Sequence, residues 1–460
     1  MYSEVLPAVE ICQQARLSRD ARFDGLFYIA VKSTGIYCRP VCPARAPAEH
    51  QVQYFASAAS AAAAGFRPCL RCRPDSAPGS AAWQGTDTTL QRAIRLIDAG
   101  GLQQQTQQQF ADRLGISERY LRKLFQQQLG LAPKQYALTQ QVLFAKKLLH
   151  ETALPVSAIA FHAGFNSIRR FNDAFKQQLK LSPLDIRRHS KTAANILQLT
   201  LSYRPPLAWQ QMLDFWRNRT LDGIDWVDEQ RYGRSFCFNQ QSGWFEVTPG
   251  KDNQLQLALH WRGEQGLFSL IKQLRRLLDL DANMQPIEQQ LSSHSLFKQG
   301  IISGLRIPGV WNSWEAGVRA VLGQQVSVAG ARTQLNRLVQ ALGQPLPDNK
   351  RLFPTPQAVV HSDLHMIKVP QARRETLTAL AQFVLQYPDA DPEQWLAIKG
   401  IGPWTINYAR LRGLSQTDIW LGGDLGVQKA LAKAGGNDDI SLLAPWRSYA
   451  TFQLWHSLGA

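Results

Sequence analysis

Four cysteines arranged as two close pairs constrain the fold of this chain more than any other feature. Cys38 and Cys42 form a CxxxC pair, and Cys69 and Cys72 form a CxxC pair, each in a stretch that carries Gly and Pro. Four thiolates suit tetrahedral coordination of Zn²⁺, and the bound metal supplies folding energy that a small turn-rich domain lacks. The pairs therefore predict a zinc-stapled domain with Cys38, Cys42, Cys69 and Cys72 as the ligands.

Two other interpretations of the cysteine pairs remain open. One is a disulfide or coincidental arrangement, and the other is a zinc site that only supports the fold. Electrostatics also favours a chemical role, because a Zn(Cys)₄ centre carries a formal charge of about −2 and its thiolates are electron-rich nucleophiles. Alkylation of one sulfur would reduce this charge to about −1 and weaken repulsion from phosphate, which would switch on DNA binding.

Length and charge indicate several domains and a polyanionic partner. A chain of 460 residues is too long for one ordinary core, and about three domains are expected. Lys and Arg outnumber Asp and Glu by 51 to 35, a net charge of +16 that favours nucleic acid, although an anionic membrane surface would satisfy the same charge. The sequence shows neither an apolar membrane span nor a signal peptide, so we expect a cytoplasmic protein.

Two stretches rich in Pro, Gly, Ser and Ala divide the chain into three parts. Residues 73–86 and 187–195 interrupt the periodic apolar pattern and are predicted to be linkers. The first part carries a predicted strand at 26–31 and an alanine-rich helix at 57–64. The last part begins with leucines at alternate positions around 197–201 and again at 255–259, which indicates half-buried antiparallel strands followed by helices.

The middle part contains a helix-turn-helix pattern twice. Residues 107–129 indicate two helices separated by a tight turn at Gly115, and the pattern recurs about fifty residues later with Gly164 in the matching turn. One such segment could be an ordinary helical hairpin, but the repetition favours two DNA-reading units. Their recognition helices are predicted to begin near Glu118 and Ser167. Side chains available for phosphates or base edges are Arg119, Arg122 and Lys123 in the first helix and Arg169, Arg170 and Asn172 in the second.

The carboxy-terminal half contains a Gly-x-Gly segment and, further on, a candidate catalytic carboxylate. Gly400 and Gly402 would leave backbone N–H groups open to a DNA phosphate, and their carbonyl groups could hold a cation. Such a tripeptide is more often only a structural turn. Asp424 follows about one helix and one loop later, directly after Gly422 and Gly423. A lone Asp is usually a cap or a surface residue, so these motifs need their wider context.

Three regions of the chain resemble known families. The stretches FYIAVKSTGIYCRPVCPAR and AAGFRPCLRCRPD resemble the zinc domain of the bacterial Ada adaptive-response proteins over residues 1–76. The repeated helix-turn-helix at 87–188 resembles the AraC/XylS activators and the module that follows the zinc domain in Ada. The segments GLRIPGVW, GVRAVLGQQVSVAGA, LAIKGIGPWTINYARLR and LGGDLGVQKA resemble the AlkA-type 3-methyladenine DNA glycosylases over 196–460.

The Ada resemblance implies that one zinc-bound cysteine removes a methyl group from an Sp phosphotriester of DNA. Cys38 is the position that matches this methyl acceptor. Thr34, Arg45 and Arg67 match residues that approach the DNA backbone, a role that suits hydroxyl and guanidinium groups. As an activator of this kind, the protein would also engage RNA polymerase.

Two features of this sequence set it apart from the Ada proteins. The Pro-Cys-His-Arg motif of their O6-methylguanine methyltransferase does not occur in the sequence, so O6 repair is not expected. Cys12 and Cys237 match no functional cysteine of the resembled families. We expect both to be small core residues.

The glycosylase resemblance implies cleavage of the N-glycosidic bond promoted by Asp424. Alkylation at N3 or N7 makes a purine a cationic leaving group, so the site must mainly flip the nucleotide and stabilise an oxocarbenium-like sugar. Trp404, Tyr408 and Trp455 match aromatic positions that hold the cationic base, with core packing as the other explanation. Trp404 also stands where strand-cutting glycosylases carry a Schiff-base Lys, which implies a monofunctional enzyme. Gln325 stands where the family inserts a Leu wedge into the duplex, which leaves the residue that fills the gap open.

The sequence thus predicts a multi-domain α+β protein that repairs alkylated DNA and regulates that repair. Its expected cofactor is Zn²⁺, and its expected partners are double-stranded DNA, both alkylated and promoter sites, and RNA polymerase. Two alternatives remain: a transcription regulator whose carboxy-terminal half binds DNA without chemistry, and a zinc-stapled DNA-binding scaffold that accepts no methyl group. The predicted domains are a zinc-stapled domain at 1–76, an all-α double helix-turn-helix domain at 87–188, an antiparallel-sheet subdomain at 196–285 and a helix-hairpin-helix glycosylase region at 286–460.

Overall fold

The chain forms two compact units in a computed structural model. The first comprises residues 1–204, 263–274 and 280–282, and the second comprises 205–262, 275–279 and 283–460. None of the helices in the described part of the chain is long and apolar enough to cross a membrane. The structure describes residues 6–19, 23, 26–42, 44, 46–56, 60–61, 64–69, 88–98, 100–187, 196–388, 390–434 and 439–458.

The amino-terminal part of the first unit is a small mixed sheet. Its strands lie in the order β3-β1-β2-β4, with β1 antiparallel to β2 and β3 and with β4 parallel to β2. Alternate residues of β1 point to opposite faces, so Ile29 packs with Cys12 of the first helix while Tyr28 packs with Tyr37. The elements are α1 (Val9–Ser18), β1 (Tyr28–Val31), β2 (Ile36–Cys38), β3 (Val52–Phe55) and β4 (Arg67–Pro68).

The sequence predictions for this part are confirmed where the structure describes the residues. The strand expected at 26–31 is β1, which begins at Tyr28. The helix expected at 57–64 falls mostly outside the described residues, and so do the two expected linkers except for Arg187.

The rest of the first unit is helical and contains the two predicted helix-turn-helix repeats. Ser117 and Ser167 cap the two recognition helices by accepting backbone N–H bonds from Tyr120 and Arg170. The turn before each helix passes through a glycine in the left-handed region, with φ 73° at Gly115 and 88° at Gly164. The helices are α2 (Thr88–Asp98), α3 (Gly101–Gln104), α4 (Gln107–Arg113), α5 (Glu118–Leu129), α6 (Pro133–Glu151), α7 (Val156–His162), α8 (Ile168–Leu179) and α9 (Pro183–Ile186), and a strand, β5 (Leu197–Ser202), follows them.

The second unit begins with a helix and continues with antiparallel strands in the order β9-β8-β7-β6. Leu255, Leu257 and Leu259 of β9 are buried and the residues between them are more exposed, which confirms the strand that their alternation predicts. The elements are α10 (Trp209–Arg217), β6 (Asp225–Val227), β7 (Tyr232–Phe238), β8 (Gln241–Pro249) and β9 (Gln254–Trp261).

Helices make up the remainder, and their core surrounds one buried helix, α13. Every residue of α13 from Trp314 to Leu322 is buried, and its neighbours in the core include Leu380 and Trp395. Residues 267–274 of the helix α11 (Leu267–Leu277) belong to the first unit. The helices that follow it are α12 (Met284–Ser293), α13 (Ser313–Gly323), α14 (Val328–Leu342), α15 (Pro356–Val360), α16 (Gln371–Gln386), α17 (Pro403–Tyr408), α18 (Leu425–Ala434) and α19 (Arg447–His456). A π-helical turn at Ala409–Gly413 continues from α17, and 3₁₀ turns lie at Glu49–Gln51, Ser295–Phe297, Pro392–Ala397 and Ile440–Leu443.

A buried network of four charges connects the sheet of the second unit to α13. Arg234 on β7 pairs with Glu315 on α13 and, at 3.3 Å, with Asp225 on β6. Arg319 donates to Glu315 at 2.8 Å and lies 3.4 Å from Asp225. Burial opposes ionisation of Glu315, but Arg234 and Arg319 outweigh it and lower the pKa of this carboxyl group. Two guanidinium groups therefore balance two carboxylates inside the core.

Candidate metal centre and candidate active site

The sheet of the first unit brings three predicted zinc ligands together. Cys38 ends β2 and Cys69 directly follows β4, and the parallel pairing of these strands places both cysteines at the same end. The backbone N–H of Cys69 donates to the carbonyl of Tyr37 at 2.9 Å, which fixes the register. Cys42 returns toward Cys38 through a turn in which its N–H donates to the carbonyl of Arg39 at 3.1 Å. The three sulfur atoms lie within 4.8 Å of one another.

This arrangement fits a zinc ion. Zn–S bonds of about 2.3 Å in a tetrahedron place neighbouring sulfur atoms about 3.8 Å apart, which a small adjustment of the three thiols satisfies. Cys72, the predicted fourth ligand, lies outside the described residues. Cys38 and Cys42 are partly exposed, whereas Cys69 is buried. Among the described cysteines of the cluster, Cys38 and Cys42 are therefore more exposed than Cys69.

The two cysteines outside this cluster differ from each other. Cys12 is fully buried, as expected, and burial raises the pKa of its thiol to about 11. Cys237 is exposed, so the expectation that it is a core residue was wrong. It lies next to the hairpin between β7 and β8, opposite Ser242, where the strands extend past the buried part of the sheet.

Two of the three predicted backbone-contacting residues of the zinc domain lie within the described part of the chain. Thr34 is exposed in the turn between β1 and β2, and its hydroxyl donates to the carbonyl of Val31 at 3.4 Å. Arg67 lies on β4, two residues before Cys69. Arg45 lies outside the described residues.

The polar residues predicted on the two recognition helices are all exposed. In α5, Leu121 and Phe125 are buried, and in α8, Phe171 and Phe175 are buried. These residues lie three or four positions apart on one helix face, so the polar positions between them face outward. The exposed side chains are Arg119, Arg122 and Lys123 on α5, and Arg169, Arg170 and Asn172 on α8.

The Gly-x-Gly segment forms a hairpin in which the two glycines have different roles. Gly400 has φ 90°, and a Cβ at this position would lie 2.2 Å from Oγ1 of Thr376. Thr376 in turn donates to the carbonyl of Lys399 at 3.0 Å. Gly402 caps α17, and a Cβ at this position would meet no atom of the described residues within 4 Å. Gly400 is therefore required by the fold, whereas Gly402 leaves the hairpin surface open.

Asp424 directly precedes α18, and three N–H groups hold its carboxylate. The ring N–H of Trp455 donates to Oδ1 at 2.8 Å, and the ring N–H of Trp404 donates to Oδ2 at 3.2 Å. The backbone N–H of Val427 donates to Oδ1 at 3.0 Å, as expected for a residue that caps a helix. Charge-assisted bonds from three directions fix the carboxylate in one orientation.

Aromatic rings gather around this carboxylate. Trp404 lies beside Tyr408 with ring centroids 5.5 Å apart, and Trp455 packs edge-on against Phe452 at 5.0 Å. The structure thus brings together Asp424 and all three aromatic residues predicted for a base pocket. Phe215 of α10 also belongs to this group, because it stacks on Trp455 with centroids 6.3 Å apart and planes 20° apart.

Sequence reasoning missed Phe215 and its neighbour Arg219. The guanidinium carbon of Arg219 lies 3.8 Å from the centroid of the Phe215 ring, and that of Arg412 lies 4.8 Å away. Arg412 also donates to the hydroxyl of Tyr408 at 3.2 Å. Phe215 and Arg219 lie about 200 residues before Asp424 in the sequence and carry no motif of their own.

The loop between α13 and α14 carries Gln325, the residue at the position where the resembled family has its Leu wedge. Gln325 is exposed and has φ 56°, a left-handed conformation that is uncommon for a residue with a side chain. The preceding Gln324 points the other way, and its amide donates to the carbonyl of Gly400 and to Oγ1 of Thr405, each at 3.1 Å. Gln324 thereby connects this loop to the Gly-x-Gly hairpin. Sequence reasoning also missed this role of Gln324.

Comparisons with known proteins agree with this arrangement. A family model described as the metal binding domain of Ada matches residues 11–75, a helix-turn-helix domain matches 110–189, and the AlkA N-terminal domain matches 198–312. A probable bifunctional transcriptional activator/DNA repair enzyme AlkA of Mycobacterium tuberculosis is 35% identical over 98% of this chain and 96% of its own length. The DNA-3-methyladenine glycosylase 2 of Escherichia coli is 31% identical over 56% of this chain and 97% of its own length. The bifunctional transcriptional activator/DNA repair enzyme Ada of Escherichia coli is 38% identical over 33% of this chain and 41% of its own length.

Proposed function

The chain belongs to the family of bifunctional transcriptional activator/DNA repair enzymes, and from this premise we propose that it repairs alkylated DNA in two ways and regulates that repair. Its second unit excises alkylated bases such as 3-methyladenine by hydrolysing the N-glycosidic bond. Its zinc domain takes methyl groups from DNA phosphotriesters, and the methylated protein activates transcription. The observation that carries the enzymatic proposal is the carboxylate of Asp424, held by two indole N–H groups inside an aromatic cluster.

The fixed carboxylate of Asp424 suits the charge that develops during base excision. When the bond between C1′ and the base nitrogen breaks, its electron pair leaves with the base and positive charge develops on the sugar. A carboxylate that already points at this position stabilises the charge without having to reorient. Water then adds to C1′ and releases a proton. Trp404, Tyr408 and Trp455 would hold a cationic alkylated base against their electron-rich faces.

We further propose that base excision is monofunctional. Trp404 stands at the start of α17, where a Schiff-base mechanism would need a lysine, and its ring N–H donates to Asp424. An indole nitrogen cannot attack C1′, so water is the nucleophile. The product is an abasic site in an unbroken strand. Trapping of a covalent protein–DNA adduct with borohydride would contradict this assignment.

The zinc domain is proposed to accept methyl groups on Cys38. Zinc held by Cys38, Cys42, Cys69 and Cys72 would keep these thiols deprotonated and nucleophilic. The sulfur of Cys38 forms a bond to the methyl carbon, the bond between that carbon and the phosphate oxygen breaks, and the phosphate leaves as an ordinary diester. The centre loses one negative charge in this step, which would raise the affinity for promoter DNA.

We propose that DNA is contacted at four places along the chain. The contacts of the zinc domain come from Thr34, Arg45 and Arg67. Promoter sequence is read by Arg119, Arg122, Lys123, Arg169 and Arg170. The hairpin at Gly400 and Gly402 contacts the phosphate backbone of the damaged duplex. Gln325 contacts the duplex at the position of the family's wedge.

Further parts of the proposal concern organisation and partners. Domains at 1–76, 87–188, 196–285 and 286–460 would carry the zinc centre, promoter recognition, the sheet and base excision. Activation of transcription requires contact with RNA polymerase, and a DNA substrate places the protein in the cytoplasm. In vitro transcription with methylated and unmethylated protein tests the activator role.

The decisive experiment for base excision measures release of bases from methylated duplex DNA. Wild-type protein should release 3-methyladenine, and Asp424→Asn should reduce the rate roughly 10²–10³-fold because it removes the charge beside C1′. Asp439→Asn is the matched control, because Asp439 caps a short 3₁₀ turn and is not among the groups that contact Asp424. Absence of base release by the wild type would favour a regulator that binds DNA without chemistry.

Peptide mapping tests the methyl-acceptor proposal. After incubation with DNA that contains methylphosphotriesters, the added methyl mass should lie on the peptide that contains Cys38 and be lost in Cys38→Ser. A methyl group on another cysteine would overturn the assignment of Cys38. Absence of any methylation would leave a zinc-stapled scaffold as the better description.

A further inference from the structure

The guanidinium group of Arg219 lies at the aromatic cluster without a direct ion pair. Its carbon is 3.8 Å from the centre of Phe215, and Nη1 donates to the carbonyl of Phe215 at 3.3 Å. The carbonyl of Arg219 accepts a bond from Arg319 at 3.1 Å, so the buried charge network anchors its backbone. Within the described part of the chain, no carboxylate lies within salt-bridge distance of the Arg219 side chain.

The other arginines of this region already pair with carboxylates or donate to other acceptors. Arg234 and Arg319 pair with Glu315 and Asp225. Arg412 is buried and donates to the carbonyl of Pro308 at 2.5 Å and to the hydroxyl of Tyr408 at 3.2 Å. Arg219 is only partly buried and has N–H groups to spare. Arg219 therefore keeps donors that a ligand held against Phe215 could use.

The charge of Arg219 depends on the groups around it. Burial lowers the pKa of Arg219 to about 10, and the positive charges of Arg412 and Arg319 act in the same direction. Tyr408 and Asp424 oppose this decrease, which places both within electrostatic reach of the guanidinium group. With this pKa, Arg219 remains positively charged at neutral pH.

A positive charge at this place affects two classes of damaged base in opposite ways. A base alkylated on a ring nitrogen is a cation when it binds, and a guanidinium group repels it. A neutral damaged base becomes an anion when its bond to C1′ breaks, since it takes both electrons of that bond. A guanidinium group attracts this anion and can donate to its carbonyl oxygen or ring nitrogen.

We propose that Arg219 is a specificity-determining residue that stabilises the departing base when this base is neutral and bears a carbonyl group. This role rests on the proposed function. In the step itself, the bond between C1′ and the base nitrogen breaks, and the electron pair stays on the base beside Arg219 while the sugar cation forms beside Asp424. Water adds to C1′ and loses a proton, and the base anion takes up a proton from the solvent.

The test compares two substrates and two substitutions in single-turnover assays with the full-length protein. Duplexes contain either hypoxanthine, a neutral base with a carbonyl group, or 7-methylguanine, a cationic base. Arg219→Gln should slow release of hypoxanthine roughly 10–100-fold, the effect of losing a charged hydrogen bond, while release of 7-methylguanine stays equal or becomes faster. Arg219→Lys keeps the charge and should retain most of the hypoxanthine activity.

Arg217→Gln is the matched control. Arg217 lies two residues earlier and forms an exposed ion pair with Asp214. Its substitution should change the release of neither base. Thermal unfolding of each variant separates a loss of stability from a loss of specificity. Equal loss on both substrates in Arg219→Gln, or release of 7-methylguanine but no hypoxanthine by the wild type, would overturn the role of Arg219. Release of neither base by the wild type would instead overturn the proposed function on which it rests.

Discussion

The zinc centre and the Asp424 site are built in different ways. The cysteine ligands come from two short segments, and the sheet brings Cys38 and Cys69 together through the pairing of β2 with β4. The Asp424 site draws on residues between Phe215 and Trp455, and hydrogen bonds and ring packing hold it together. The first site would therefore depend on the proposed zinc ion, whereas the second rests on a large apolar core.

This difference explains which parts of each site are sensitive to change. A small domain with two minor apolar clusters has little burial to stabilise it, so loss of zinc should remove most of its stability. The second unit has an extended core around α13, so the loss of one polar contact should leave it folded.

Removal of zinc should unfold the amino-terminal domain and leave base excision intact. Zinc binding contributes about 10–16 kcal/mol in small zinc domains, more than a domain of this size gains from its core. Chelation, or Cys69→Ser, should abolish methyl transfer from phosphotriesters, whereas release of 3-methyladenine should be unchanged. Cys237→Ser is the matched control, because Cys237 is exposed and outside the cluster. Loss of both activities on chelation would show that the two sites are not independent.

Glu315→Gln should destabilise the second unit by about 3–5 kcal/mol, because it leaves Arg234 and Arg319 with an unbalanced charge inside the core. Asp214→Asn removes an exposed pair with Arg217 and should cost less than about 1 kcal/mol. Denaturant unfolding measures both. A cost for Glu315→Gln no larger than that of the control would contradict the importance of the buried network.

The same network predicts a dependence on pH. Because the pKa of Glu315 is lowered on folding from the ordinary value of 4.5, its ionisation stabilises the folded state above that pH. This stabilisation is lost as the pH falls from 4.5 through the lowered folded value. Glu315→Gln should therefore unfold with a weaker dependence on pH than the wild type in this range.

Trp455→Phe should slow base excision roughly 10–100-fold with little loss of stability. Phenylalanine keeps the stack on Phe215 but removes the N–H that donates to Asp424 at 2.8 Å, a bond to a charged group worth about 1.5–3 kcal/mol. Trp404→Phe should have a smaller effect, since its bond is longer, at 3.2 Å. Trp446→Phe, a buried tryptophan that packs on Tyr449, is the control. Unchanged rates in Trp455→Phe would mean that Asp424 needs no such support.

The two sites also differ in how far the sequence predicts them. The zinc ligands and the recognition helices follow from local spacing, because Cys38 and Cys42 or the turn at Gly115 act over a few residues. The grouping of Trp404, Tyr408 and Trp455 with Asp424 followed from family resemblance. Phe215, Arg219 and Gln324 were not predicted, since only tertiary packing brings them to the site.

Cys237 shows the limit of reasoning from residue type. Cysteine is commonly buried, which is why Cys237 was expected to be a core residue. Cys237 instead lies near the hairpin end of β7, where the strand extends beyond the core. The position at which a strand leaves the core depends on the elements that pack against it. A local sequence pattern does not contain this information.

The smallest predicted effect concerns the two glycines of the hairpin, which test whether this loop binds DNA. Gly402→Ala should leave stability unchanged, because its Cβ would meet no described atom within 4 Å, yet should weaken duplex binding roughly 2–10-fold by placing a methyl group where a phosphate approaches. Gly400→Ala should instead lower stability by about 1–2 kcal/mol, since φ 90° and a contact of 2.2 Å with Thr376 exclude a side chain. Fluorescence anisotropy with an undamaged duplex and thermal unfolding separate the two outcomes. Unchanged duplex affinity in Gly402→Ala would show that the hairpin does not contact DNA. The need for glycine at position 400 would then be explained by the fold alone.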